Sequence, residues 1–505
     1  MIKCFEETVR SFPDKCAIAY KEQSYTFSEL EKRAKEIAGK ILIKSGKKKD
    51  SPVAVIVNRG ADAAALFLGV LYSGNYYIPI DPDMPVEKIG KILKDSGTSL
   101  LLYEEEQEGL TRKLVDEEVY HGALLSFEEQ VQGADQIDLP DMNLVEADTP
   151  AYMVYTSGST GMPKGVLKSH GAVKSFITTY ASTFSLGSDE IIGNQTPFFF
   201  DASAKDFYLM VYTGATMEVL PPELFIFPVN LINYLNERKI TFACWVPTAF
   251  SIVTQLSTFQ VVLPETLKKA FFVGEVFPIK QLRKWIETLP DIQYVNLYGS
   301  TEISGISCYY EIDTKEEVNA LPMGRPLANC EVFLMAGEKL ISPEDTETIG
   351  EVCVASPALA LEYYNDPEKT SKVFVEMMTP SGQVKRVLRS GDLARYDESG
   401  NLLFVSRKDF QIKHMGRRIE LGEIESIADT LQEIQRCCCI YDTEKKKIKM
   451  FCELIPGCEW DGKAVKGALR PKLSEYMMPN KVTIMEKLPL NANGKIDRTA
   501  LKNKR

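Results

Sequence analysis

The chain of 505 residues has only three histidines, and no Cys/His set has the spacing of a zinc site. A histidine-built metal centre is excluded on that basis. No uninterrupted apolar run reaches membrane length, and the opening Met1-Ile2-Lys3-Cys4-Phe5-Glu6-Glu7 has no apolar signal core. No membrane insertion is expected. Positive charge is not in surplus either: 59 Lys/Arg face 70 Asp/Glu, for a net −11. That balance argues against nucleic acid as a partner, since such binding relies on neutralising phosphates. Long low-complexity linkers and fixed-period repeats are missing, so closely packed domains are expected. The 11 cysteines are odd in number, with three in a row at Cys437, Cys438 and Cys439. They read as reduced, mostly buried thiols of a cytoplasmic protein.

What is present is an ordinary globular composition, 45% hydrophobic and 26% charged, which rules out disordered and fibrous classes. The length exceeds what one core sustains, about 250–300 residues, so at least two folding units are expected. Charge is divided unevenly. Residues 409–505 hold 19 Lys/Arg and 14 Asp/Glu, a net of +5, which leaves −16 on residues 1–408. A basic module on an acidic body suggests that the module handles something anionic.

Helix and strand signals alternate from the start. Ser28-Glu29-Leu30-Glu31 has the form of a capping box opening a helix to about Lys44. Apolar runs at 53–57, 77–80 and 99–103 read as strands, separated by helices near 63–72 and 85–94. Apolar strands between helices imply a parallel sheet covered on both faces. The alternation resumes after Tyr152 and continues to about Leu297. Residues 324–404 read as a β-rich subdomain, with short runs at 331–335 and 350–354 between Gly, Pro and Asp turns. After Arg407 a small α+β module follows, with a hairpin of 437–441 and 448–453 around a charged turn.

The strongest local signal is Tyr155-Thr156-Ser157-Gly158-Ser159-Thr160-Gly161-Met162-Pro163-Lys164-Gly165, directly after the apolar strand 151–154. Small residues let backbone N–H groups approach an anion, hydroxyls add donors, and Lys164 adds charge. The segment reads as a phosphate cradle. It is not a Walker loop, because Pro163 precedes Lys164 and Gly165 follows it. It also lacks the Gly-x-Ser-x-Gly of a hydrolase elbow.

This loop resembles the phosphate loop of the adenylate-forming (ANL) enzymes, the superfamily of acyl-CoA synthetases, luciferases and amino-acid adenylation domains. The resemblance covers nearly the whole chain, with further motifs in order. Asn296-Leu297-Tyr298-Gly299-Ser300-Thr301-Glu302 is similar to the second nucleotide motif, and Arg389-Ser390-Gly391-Asp392-Leu393 to the ribose motif. Ser406-Arg407-Lys408-Asp409-Phe410-Gln411-Ile412-Lys413, with Gly416-Arg417-Arg418-Ile419-Glu420, resembles the hinge motif. Leu490-Asn491-Ala492-Asn493-Gly494-Lys495-Ile496-Asp497 resembles the C-terminal lysine motif. Ser300 stands where relatives often have Pro, and Ser406 where they usually have Gly. Neither change removes a reactive group.

The resemblance implies an α/β fold: a large N-terminal body, 1–408, of mixed and parallel sheets flanked by helices, with the β-rich subdomain. A small mobile α+β C-terminal domain, 409–505, would carry the catalytic Lys495 and pivot at Asp409. It implies ATP and Mg²⁺, with Glu302 as metal ligand, since Mg²⁺ prefers hard oxygens. Thr156, Ser157, Gly158, Ser159, Thr160, Lys164, Gly274, Glu275, Asn296, Tyr298, Gly299, Ser300 and Thr301 would surround the nucleotide. A carboxylate such as Asp392 can accept two ribose hydroxyls. Tyr298 can stack on adenine. Arg407 can reach the ribose or a phosphate, or pair with a carboxylate across the domain junction. Thr301, Glu302, Arg407 and Lys495 would act in catalysis.

Phe199-Phe200-Asp201-Ala202-Ser203-Ala204-Lys205 resembles the Phe-Asp-x-Ser motif of amino-acid-activating domains. There the Asp binds the substrate α-ammonium; a buried anion without a cation would otherwise be costly. The alternative for Asp201 is a salt bridge to Lys205. By the family pattern the pocket wall includes Ala202, Lys205, Cys244, Phe271, Val273, Leu297, Gly305 and Ile306. Ala202 and Gly305 would make room and Lys205 would bring a cation, so an amino acid larger than alanine, with an acidic side chain such as glutamate, is expected. The resemblance is to D-alanine–carrier protein ligases and nonribosomal peptide adenylation domains. The expected acceptor is a holo, phosphopantetheine-bearing carrier protein acting in trans. Such carriers are typically acidic, which suits the net +5 module, and Gly416 would line the pantetheine path. An acid–CoA ligase using free coenzyme A is the enzymatic alternative, and a non-catalytic scaffold the other class.

Overall fold

The computed structural model describes residues 1–157, 162–318, 320–408, 411–443, 445–489 and 496–502. Among these the body holds two large sheets. A seven-stranded sheet runs in the order Glu362–Tyr363, Lys164–Ser169, Pro150–Thr156, Tyr76–Ile80, Pro52–Ile56, Leu100–Tyr103, Ala123–Ser126. Pro52–Ile56 pairs in parallel with both Tyr76–Ile80 and Leu100–Tyr103. Every residue of Tyr76–Ile80 is buried, as a strand covered on both faces requires. The helix Asp62–Tyr72 is buried from Ala63 to its end, so it lies inside the body rather than on it.

The second sheet has nine strands: Arg325–Pro326, Cys308–Glu311, Gln293–Tyr298, Lys269–Val273, Phe242–Trp245, Ile191–Asn194, Thr216–Val219, Cys16–Tyr20, Gln23–Thr26. Its centre comes from the helix–strand alternation after Tyr152. Its far edge is a hairpin from the N-terminus, which sequence periodicity did not anticipate. The β-rich subdomain forms a six-stranded sheet whose last strand, Leu402–Arg407, pairs with Val384–Tyr396.

The C-terminal unit carries a two-stranded hairpin, Gln411–His414 with Arg417–Glu420, and a three-stranded sheet of Ile434–Asp442, Lys447–Leu454 and Lys481–Ile484. Alternation along Ile434–Asp442 separates the three adjacent thiols. Cys437 and Cys439 pack into the cluster containing Ile424, while Cys438 packs with Leu488 and Leu501. All 11 cysteines are free, and nine of them are buried. The fold class is thus the expected one. Among the described residues no helix is long and apolar enough to cross a membrane.

One local expectation is corrected. The helix Phe27–Lys44 is capped by Thr26 and Glu29, not by Ser28 and Glu31. Thr26 Oγ1 accepts from the Glu29 N–H at 3.2 Å, and the Glu29 carboxylate accepts from the Thr26 N–H at 2.8 Å. Both pairs have the right spacing. Extended Thr26 ends the strand Gln23–Thr26, and fully buried Phe27 is the first residue that can turn into the core. Thr26→Ala should therefore cost about 1 kcal/mol, seen as a lower urea midpoint, with Ser28→Ala near neutral. The reverse order of effects would restore the box read from the sequence.

Candidate active site

The strand Gln293–Tyr298 delivers Asn296, Leu297 and Tyr298 to one end of the second sheet, and the chain then folds back tightly. A Cβ on Gly299 would fall 2.3 Å from the Gly305 carbonyl oxygen, so only glycine fits there. Asn296 Nδ2 donates to the Pro322 carbonyl at 2.6 Å. Asp392, on the subdomain strand Val384–Tyr396, sits opposite Arg407 in register. The Tyr298 hydroxyl donates to Asp392 Oδ2 at 2.5 Å, and Arg407 Nη1 to Oδ1 at 2.6 Å. Burial and the Asp392 charge push the Tyr298 phenol well above its ordinary range. The Lys413 ammonium lies 5.6 Å over the Tyr298 ring, and burial lowers its pKa.

Glu302 is buried beside them. Arg418 Nη1 lies 2.8 Å from each of its oxygens, and the Tyr363 hydroxyl donates at 2.6 Å. Burial alone would raise the Glu302 pKa; Arg418 and Tyr363 outweigh it and hold the carboxyl well below the usual range. A buried, ionised oxygen ligand of this kind fits Mg²⁺. Here a guanidinium from the C-terminal hairpin faces it. Arg418 Nε is buried without a hydrogen-bond partner among the described residues.

The same hairpin meets the phosphate-cradle residues. Ser157 Oγ donates to the Arg418 carbonyl at 3.1 Å and accepts from the Glu420 N–H at 3.2 Å. Lys164 Nζ is 3.3 Å from Glu420 Oε1. The hairpin tip packs on the body at Gly274 and Glu275. The Gly416 N–H donates to Glu275 Oε1 at 2.5 Å, and Lys446 Nζ is 3.2 Å from Oε2. Gly416 has φ +75°, and a Cβ there would lie 2.2 Å from Val246 Cγ1. Thr156 and Thr301 are half-buried, and Ser300 Oγ is buried without a hydrogen-bond partner among the described residues. Gly158, Ser159, Thr160, Asp409 and Lys495 lie outside the described residues.

The expected pocket wall comes together differently from its reading in sequence. Asp201 does not pair with Lys205. Its Oδ1 accepts from Lys168 Nζ at 2.5 Å and from the Tyr152 hydroxyl at 3.0 Å. Lys205 does not offer a spare cation. It is buried, and its ammonium donates to Asp206 Oδ1 at 2.8 Å and to the Cys244 carbonyl at 3.0 Å. Gly305 does not make room either. It has φ +90°, and the Phe176 ring fills the place where its Cβ would be, at 2.1 Å. Cys244 and Phe271 are fully buried, with Phe271 edge-on to Phe184 at 4.8 Å and Phe242 at 5.1 Å. Leu297 and Ile306 are buried; Ala202 and Val273 are half-buried.

Sequence reading missed Lys168, Asp206, Phe176, Lys369 and the role of Arg418. A signal existed for Lys168, a lysine inside the otherwise apolar strand after the glycine-rich loop. Lys369 had none. It lies 4.4 Å over the Tyr363 ring, near Lys164 and Arg418.

Residues 5–364 match the AMP-binding enzyme family, and residues 423–495 match its C-terminal domain. The chain belongs to this family and is an adenylate-forming ligase. It is 31% identical over 510 residues to zwittermicin A synthase ZmaJ of Bacillus cereus, covering 99% of this chain and 94% of that protein. It is also 31% identical to tyrocidine synthase 3 of Brevibacillus parabrevis, covering 98% of this chain and 7% of that protein. The chain spans 7%, 13% and 14% of three large peptide synthases that it matches. The fold is shared with o-succinylbenzoate CoA synthetase from Bacillus subtilis: TM-score 0.84, 21% identity, 99% of this chain and 98% of that one.

Burial first, then the neighbouring Lys164 and Arg418, pull Lys369 down to about 7. Above that pH the free protein holds it mostly neutral. A bound triphosphate favours the charged form and should draw a proton onto it. ATP binding at pH 8 should therefore take up protons, and at pH 6 should not. Calorimetry in buffers of different ionisation enthalpy checks this. Proton uptake that persists in Lys369→Met would assign it elsewhere.

Proposed function

We propose that the protein joins a carboxylic acid to ATP as an acyl-adenylate, releasing pyrophosphate, and then passes the acyl group to the phosphopantetheine thiol of a separate carrier protein. The observation that supports this best is the meeting of Asp392, Tyr298, Arg407 and Glu302 at the body's edge with the C-terminal hairpin seated against them.

In the first step a substrate carboxylate oxygen attacks the α-phosphorus, and the bond to the pyrophosphate oxygen breaks. Charge builds on the phosphoryl oxygens, so positioning and cations carry the catalysis. Asp392 would exchange its Tyr298 and Arg407 donors for two ribose hydroxyls. Arg407 is then released toward the phosphates. Thr156, Ser157, Gly158, Ser159, Thr160 and Lys164 would cradle the leaving pyrophosphate. Gly274, Glu275, Asn296, Tyr298, Gly299 and Ser300 would surround the base. Thr301 would donate to a phosphate oxygen. Mg²⁺ held on Glu302 would supply further neutralising charge. Lys495 would bridge the substrate carboxylate and the transferring phosphate.

In the second step the thiolate attacks the acyl carbon and AMP leaves. The seated hairpin, with Gly416 against Val246, is read as the arrangement for this step, the chain pivoting at Asp409 between the two. The positive C-terminal unit would favour encounter with an acidic carrier. The relatives that are peptide synthases put amino acids first among the acids to be tried. The likeness to a CoA synthetase keeps free coenzyme A as the second acceptor; comparing thioester yield on carrier and on coenzyme A separates them.

Lys495→Ala should cut acid-dependent pyrophosphate exchange by roughly 100-fold or more. Thioester formation from a synthetic acyl-adenylate should stay near the wild-type rate. Equal loss of both steps would count against a C-terminal unit that serves them in turn.

A further inference from the structure

Asp201 is the residue whose burial called for a cation from the substrate. The structure shows that the protein supplies that cation itself. Lys168, on the adjoining strand Lys164–Ser169, has no exposed surface and places Nζ 2.5 Å from Asp201 Oδ1. Its other neighbours also belong to the body: the Ile303 carbonyl at 3.4 Å and the Tyr152 ring at 5.3 Å. The cavity beside Asp201 is walled by Phe67, Tyr77, Tyr152, Phe198 and Phe207 and brings no second carboxylate. The nearby Glu302 is engaged by Arg418, and Asp206 by Lys205.

A substrate ammonium arriving at Asp201 would be a second cation sharing one carboxylate with Lys168, away from water. A buried charge without its own counter-ion is strongly unfavourable. By the same reasoning an acidic side chain meets no spare lysine, because Lys205 is already neutralised.

We propose that the acid this site activates carries no α-ammonium group and no charged side chain: it is an uncharged-chain carboxylic acid, unsubstituted or bearing a neutral hydroxyl or keto group beside the carboxylate. Lys168 stands where the substrate's own cation would otherwise be. This rests on the adenylation reading above and names its substrate class. The reaction is unchanged: the carboxylate oxygen bonds to the α-phosphorus and pyrophosphate leaves.

Pyrophosphate exchange on the full chain with matched acids tests this. The sets are alanine, lactate, pyruvate and propionate; valine and isovalerate; phenylalanine and phenyllactate; with glutamate added. The amine-free member of a set should exceed its amino acid by roughly 100-fold in kcat/KM, the scale of an uncompensated buried charge. Lys168→Met frees Asp201 and should move that ratio at least about tenfold toward the amino acid. The double variant Lys168→Met with Asp201→Asn restores a neutral site and should return the preference for amine-free acids. Circular dichroism and a melting curve establish that each variant is folded; if one is not, the wild-type ratio decides. A wild-type preference for any amino acid, or a folded Lys168→Met with an unchanged ratio, overturns the proposal and leaves adenylation standing. Exchange with no acid at all overturns the adenylation reading, and this proposal with it.

Discussion

A carboxylate taken out of water has to be met by a cation, and this protein is organised around six that are. Glu302 is met by Arg418, Asp392 by Arg407, Glu275 by Lys446, Glu423 by Lys88, Asp201 by Lys168 and Asp206 by Lys205. Leaving any one of them unpaired is more costly than the pair is stabilising, so each pair fixes where its two chain segments must lie. The glycine contacts allow the approach; the ion pairs decide its register.

The six pairs divide by where the cation comes from. Asp201 and Asp206 are met from within the body by lysines that are essentially fully buried. Nothing short of opening the core removes them. Glu302 and Glu275 are met from the C-terminal unit, and Glu423 on that unit is met by Lys88 of the body. Those three pairs break if the unit moves as a whole. A metal or a nucleotide can then replace a departing guanidinium without leaving a bare charge behind. Arg418 is suited to leave, because its Nε has no hydrogen-bond partner among the described residues even when the hairpin is seated. The permanent pairs set what the pocket accepts; the exchangeable pairs set when the nucleotide site is open.

Much of this was legible in the sequence. Strand Pro52–Ile56, helix Asp62–Tyr72 and the hairpin around Thr443 are local patterns, and local patterns survive folding. The motif residues Tyr298, Asp392, Arg407 and Glu302 could be expected together because each motif is a contiguous string. What was not legible depends on distance in sequence. Asp201 and Lys168 are 33 residues apart, and Glu302 and Arg418 are 116 apart. Lys205 was read as a pocket cation because its position was known and its neighbour Asp206 was given no direction. The choice between Thr26 and Ser28 as helix cap failed for a smaller reason: two boxes with the same spacing differ only in which residue the core can bury.

The charge split, −16 on residues 1–408 and +5 on residues 409–505, also changes meaning. Read alone, the positive module seemed reserved for an anionic partner. Part of that charge is already committed, since Arg418 and Lys446 meet carboxylates of the body. The acidic body therefore holds the basic module partly by long-range attraction, and salt should weaken the seated arrangement before it weakens either core. What remains free for a carrier is the outward-facing set that includes Lys445, Lys463, Lys481 and Lys487, all exposed. Docking through these lysines need not compete with Glu302 or Glu275. A carrier could then approach while the hairpin stays seated, which is the order a thiol transfer requires.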